Sequence, residues 1–172
     1  MWPHEFRTDL KVSLAAGALR VDWNVVNRNT NQDFPFTCAL HSYFTVDTVG
    51  QVTVGDISGL QYKDKVREGK TFDQKEQTIS FESEVDRVYL NAPDELTITD
   101  QGSNGPQTLR VRKTNIADAV IWNPWVATAR KMGDLDDEDY NNFVCVEAAV
   151  AGTPVVLGAG KTWKSSMLLS RL

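Results

Sequence analysis

The feature that most limits the fold is a period of two. Leu19, Val21, Trp23 and Val25 alternate with Arg20, Asp22 and Asn24. Such spacing separates a core-facing row from a solvent-facing row only when the backbone is extended. Short runs of this kind recur. Thr8–Leu14 and Ala18–Asn27 flank Ala-Ala-Gly17 and read as a hairpin. Phe36–Val46, Gln51–Ile57, Leu60–Val66, Thr78–Phe81, Val85–Leu90 and Glu95–Asp100 follow as predicted strands. Thr108–Lys113, Ala119–Trp122, Phe143–Val150, Val155–Leu157 and Thr162–Ser170 complete the set. Many short strands separated by turn signals predict an all-β antiparallel sandwich or barrel, not a βαβ layout.

One helix interrupts the pattern. Asn123 suits an N-cap and Pro124 a first helical position, Trp125–Met132 has helical composition, and Gly133 offers a left-handed stop. The acidic stretch Asp134–Asp139 reads as a solvated loop; it has neither the spacing nor the central glycine of an EF-hand. With 172 residues and no linker or repeat, the chain is expected to form a single domain over 1–172.

Composition excludes some partners. A formal charge of -5 argues against nucleic acid, whose phosphates call for a basic face. No apolar run reaches the about 18 residues of a membrane span, and the N-terminus lacks a secretory pattern. Cys38 and Cys145 are far apart in apolar runs and read as buried free thiols. A cytoplasmic monomer is the expectation.

Two ionisable residues stand where a core would be. His41 interrupts Phe36–Val46, and Glu147 interrupts Phe143–Val150. Burying such groups is unfavourable unless they have a partner or a task. Strand parity puts Thr37, Ala39, Tyr43 and Thr45 on the face of His41, and Cys145 and Ala149 on that of Glu147. Both faces suit a groove lined on one side of a sheet. Asp86, followed by Arg87, is a third candidate; by pattern alone it reads as a strand-end carboxylate paired with a base. Neither His41 nor Glu147 has the neighbours of a metal ligand.

Five stretches, in order, carry a resemblance: Trp2-Pro-His-Glu-Phe6, Ala39-Leu-His-Ser-Tyr-Phe44, Asp86-Arg-Val-Tyr89, Trp122-Asn-Pro-Trp125 and Cys145-Val-Glu-Ala148. Together they resemble the hexose-6-phosphate mutarotases (glucose-6-phosphate 1-epimerases) of the galactose-mutarotase-like superfamily. The resemblance implies a β-sandwich of the supersandwich type with sugar on a concave sheet face. It implies Glu147 as general base on the anomeric hydroxyl and His41 as general acid on the ring oxygen, with no metal or organic cofactor. Asp86 would bind sugar hydroxyls with Arg87 beside it, and the small-molecule partner would be a sugar phosphate. Trp2 and Pro3 fall well inside the family's domain. The family's first strands, a second active-site histidine and phosphate-associated arginines are therefore expected to lie outside this chain. A catalytically weak or inactive sugar-phosphate-binding remnant is the alternative expectation.

Overall fold

The computed structural model describes residues 2–103 and 105–172. In chain order the strands are β1 (Phe6–Ala15), β2 (Ala18–Asn27), β3 (Phe34–Leu40), β4 (Tyr43–Thr45), β5 (Val52–Val54), β6 (Gln61–Asp64) and β7 (Lys70–Asp73). They continue with β8 (Ile79–Ser80), β9 (Val85–Tyr89), β10 (Glu95–Asp100), β11 (Gln107–Thr114), β12 (Asp118–Asn123), β13 (Phe143–Leu157) and β14 (Thr162–Arg171). One short helix, α1 (Trp125–Ala129), lies between β12 and β13.

All pairings are antiparallel and build two sheets. One runs β1-β2-β14-β11-β10-β5-β8. The other runs β3-β13-β12-β9-β6-β7, with β4 pairing to β13 in line with β3. The sheets pack face to face over a core that includes Phe34, Val54, Tyr89, Ile98, Val111, Ile121, Val144 and Val146. Rings close the layer: Trp163 of β14 meets Trp23 of β2 at 5.8 Å and Phe36 of β3 at 5.4 Å, both edge to face. The expected antiparallel sandwich is the observed one.

The predicted elements differ from the observed ones in four places, each for a local reason. Phe36–Val46 is not one strand: pairing with β13 lapses at His41 and Ser42, where the Ser42 N–H donates to the Leu40 carbonyl instead. The predicted strands Phe143–Val150 and Val155–Leu157 are one, with a register shift between Val150 and Val155. There the buried Asp118 carboxylate takes the Ala151 and Gly152 amides at 2.8 and 2.7 Å, and Pro154 has no amide to give. A side chain at Gly152 would fall 2.6 Å from Leu90 Cδ2 and 3.3 Å from the Asp118 carboxylate, so a larger residue would displace the Leu90 side chain. Strand β7 had no alternating signal; it is recruited by Phe72, which stacks on Tyr62 at 5.8 Å.

The helix is the fourth. It spans Trp125–Ala129 rather than Trp125–Met132, because the Lys131 and Met132 amides turn back to Thr128 and Ala129 in tighter three-residue steps. The N-cap falls on Pro124 and not on Asn123, whose side-chain oxygen accepts the Trp125 amide at 2.9 Å while its amide group donates to the Tyr140 and Phe143 carbonyls. The left-handed residue is Trp125 itself, at φ 54°, and not Gly133. Both cysteines are free thiols; burial raises Cys38 to about 11 and pushes Cys145 up as well.

Candidate functional site

The face of the second sheet turned away from the core carries a groove of about 540 Å³. Its floor is built by register. Leu40 pairs with Ala148 and Tyr43 with Cys145, so His41 falls opposite Glu147. Glu147 pairs with Val120, Val120 with Val88, and Val88 with Lys63. One row, His41–Glu147–Val120–Val88–Lys63, therefore runs from the break between β3 and β4 across four strands, β13, β12, β9 and β6. A parallel row runs Tyr43–Cys145–Trp122–Asp86, and Lys65, one residue past β6, extends it.

The structure brings His41, Glu147 and Asp86 into this groove. His41 Nε2 lies 3.4 Å from Glu147 Oε1, with the Glu147 side chain 6% exposed and that of His41 51%. The imidazole is held by rings: it stacks on Tyr43 at 4.8 Å and 12°, and meets Trp122 edge to face at 5.5 Å. Trp122 and Tyr43 in turn pack on Phe143. Val88, Val120 and Ala149 form a small apolar cluster under the groove. Lys65 Nζ stands 3.3 Å from Asp86 Oδ1, but in a direction that leaves this buried oxygen without a hydrogen bond. An acceptor so placed is ready for a hydroxyl donor from a ligand.

Arg87 requires a correction. Asp86 and Arg87 are adjacent on β9, so they point to opposite sides of the sheet. Only Asp86 reaches the groove. Arg87 turns to the core side, its guanidinium 4.5 Å from the Tyr62 ring centroid and within 3.8 Å of Asp64, with Gln74 Oε1 accepting at 3.4 Å. It packs against β6 and the segment that follows β7, within its own sheet. Sequence reasoning missed Lys63, Lys65 and Trp122 as groove residues. Parity on β6 would have placed Lys63 opposite the buried Tyr62 and Asp64, but lysines on a polar face look like ordinary solvated surface.

Glu147 titrates above its ordinary value of 4.5 because burial opposes its charge; Asp86 adds to this, while His41 and Lys65 pull the other way. The sign for stability follows. The native state holds the Glu147 proton more tightly than the unfolded chain. Its contribution is fully present below about 4.5 and is lost as pH rises through the folded pKa. Glu147→Gln removes that dependence. Its urea midpoint is expected to match wild type near pH 4.5 and exceed it at neutral pH; a gap that does not grow with pH would show that Glu147 is not desolvated at an energetic cost.

The family model for aldose 1-epimerase matches residues 1–170. A "Putative glucose-6-phosphate 1-epimerase" of Cenchrus ciliaris is 37% identical over 172 residues, covering 99% of this chain and 52% of that protein. A protein of the same name from Escherichia coli (strain K12) is 34% identical over 150 residues, covering 87% of this chain and 48% of that one. The crystal structure of a "putative mutarotase (YeaD)" from Salmonella typhimurium superposes with a TM-score of 0.87 at 29% identity, covering 99% of this chain and 55% of that one. A "Putative aldose 1-epimerase" of Escherichia coli K12, at 18% identity and a TM-score of 0.74, shares the fold. The chain thus spans about half the length of the relatives it matches. With a family model aligned along residues 1–170, the chain belongs to the aldose 1-epimerase family.

Proposed function

We propose that this chain interconverts the α and β anomers of a hexose 6-phosphate by acid–base ring opening. Glu147 takes the proton of the anomeric hydroxyl, the bond between C1 and the ring oxygen breaks, and His41 gives its proton to that oxygen. The open aldehyde rotates about C1–C2, and the reverse transfers close the other anomer. Asp86 accepts a hydrogen bond from a ring hydroxyl through its unpartnered oxygen.

The observation that carries the reading is the His41–Glu147 contact on the floor of an open groove. Catalysis needs a base that is charged yet basic enough to take a hydroxyl proton, and an acid that titrates near neutrality. Burial raises Glu147 towards that range. The half-exposed imidazole faces the open groove, and ring closure by the reverse transfers returns its proton. The phosphorylated substrate is suggested by the names of the relatives from Cenchrus ciliaris and Escherichia coli.

The test is two-dimensional exchange NMR on glucose 6-phosphate, comparing anomer exchange with and without protein. Exchange above the spontaneous rate supports the reading. Binding of the sugar phosphate with no added exchange would instead favour a sugar-binding module of the same family.

A further inference from the structure

We propose that two copies of this chain pair edge to edge through β1, antiparallel, about a two-fold axis at Leu10. The pairing is independent of the reaction at the groove. Composition, from which a monomer is expected, says nothing of an open edge.

A sheet edge offers unpaired amides and carbonyls, and proteins blunt most edges by brevity, charge or proline. Here β8 has two residues, β7 has four with a charge at each end, and β3 carries Pro35. By contrast β1 has ten residues and no proline. Its free side can be identified. The Arg28 amide donates to the Glu5 carbonyl, and the Asn27 amide turns the other way, to Lys161. Antiparallel alternation then bonds the odd-numbered residues of β1 to β2. Phe6, Thr8, Leu10, Val12 and Leu14 turn their backbone groups outward. On the core-facing side Leu10, Val12 and Leu14 stand beside Trp23, Val21 and Leu19, yet they are 57%, 64% and 82% exposed. An apolar row next to an open ladder marks a contact surface.

Charge selects a second copy and fixes its register. With Leu10 opposite Leu10, Phe6 meets Leu14, Thr8 meets Val12, and each outward-turned residue of β1 gains a partner. The apolar rows then cover one another. On the other face Asp9 meets Lys11 twice, once on each side of the axis. Lys11 already neighbours Asp22 of β2, so the signs alternate from Asp22 to Lys11 to the second copy's Asp9. A slip of two residues one way sets Asp9 against Asp9 and Arg7 against Lys11. The same slip the other way sets Lys11 against Lys11. A slip of four leaves part of β1 unpaired. The two-fold contact uses up the edge in both copies, so assembly closes at a dimer.

Sedimentation equilibrium on the full chain is expected to give twice the 19.2 kDa of one copy. Val12→Pro removes an outward amide and leaves the bonds to β2 untouched; it is expected to be monomeric with an unchanged circular-dichroism spectrum. Asp9→Lys is expected to weaken association by about 10-fold, and adding Lys11→Asp to restore most of it. Oxidative trapping reads the register, with wild type as the control for Cys38 and Cys145. Leu10→Cys is expected to cross-link. Val12→Cys is not, because its two copies stand roughly 14 Å apart at about 3.4 Å per residue. A wild-type monomer at every concentration overturns the pairing and leaves β1 to a strand from outside this chain. A dimer that survives Val12→Pro overturns it too, as does cross-linking at Val12→Cys without cross-linking at Leu10→Cys.

Discussion

Glu147→Gln is expected to slow catalysed exchange of glucose 6-phosphate anomers by about 10²–10⁴-fold, the range a positioned general base supplies. The amide keeps the shape of the carboxylate and can still meet His41, so the groove survives while the proton acceptor is lost. A circular-dichroism spectrum unchanged from wild type would place the loss in chemistry. An unchanged exchange rate would remove Glu147 from the reaction. The same substitution is expected to stabilise the fold at neutral pH. Loss of activity joined to a gain in stability is the signature of a group kept charged against its surroundings.

Lys113→Met is expected to destabilise the fold by about 2–5 kcal/mol. Lys113 is 1% exposed, and its ammonium donates to the Ala92, Ile116 and Ala117 carbonyls at 2.7, 2.7 and 3.2 Å. Those carbonyls sit in connections that carry the chain from one sheet to the other, β9 to β10 and β11 to β12. Burial lowers the Lys113 pKa from its ordinary 10.5, and Asp94 and Asp118 oppose the shift. Methionine fills similar space but leaves three acceptors in the interior without donors. Urea unfolding measures the change. A variant as stable as wild type would mean that water reaches these carbonyls unaided.

Both residues show what can be read from the chain and what cannot. Period two gave the sandwich, and parity gave the faces of His41 and Glu147, because each apolar neighbour must turn inward. The same parity rule, applied to Asp86 and Arg87, separates them; adjacency in sequence suggested a joint role that a strand forbids. Lys113 looked like the polar member of an alternating strand, and nothing local reveals that three distant carbonyls converge on it. Strand β7 and the break at His41 were also hidden, since the first depends on the ring of Tyr62 and the second on a single amide turning back. Interruptions of apolar runs were legible as exceptions. Long cations on a polar face were not, because Lys63 and Lys65 look like solvated surface until neighbouring strands close a groove around them.

That cross-strand row has a consequence for how the protein can vary. Lys63, Val88, Val120 and Glu147 are scattered along the chain, yet the interval between them is set by hydrogen-bonded strand spacing alone. The sheet acts as a ruler, with one graduation per strand. Loops can lengthen or shorten without moving a graduation, whereas a two-residue slip of one strand keeps every apolar side chain inward and still takes one group off the line. Such a variant would fold with an intact core and a broken row.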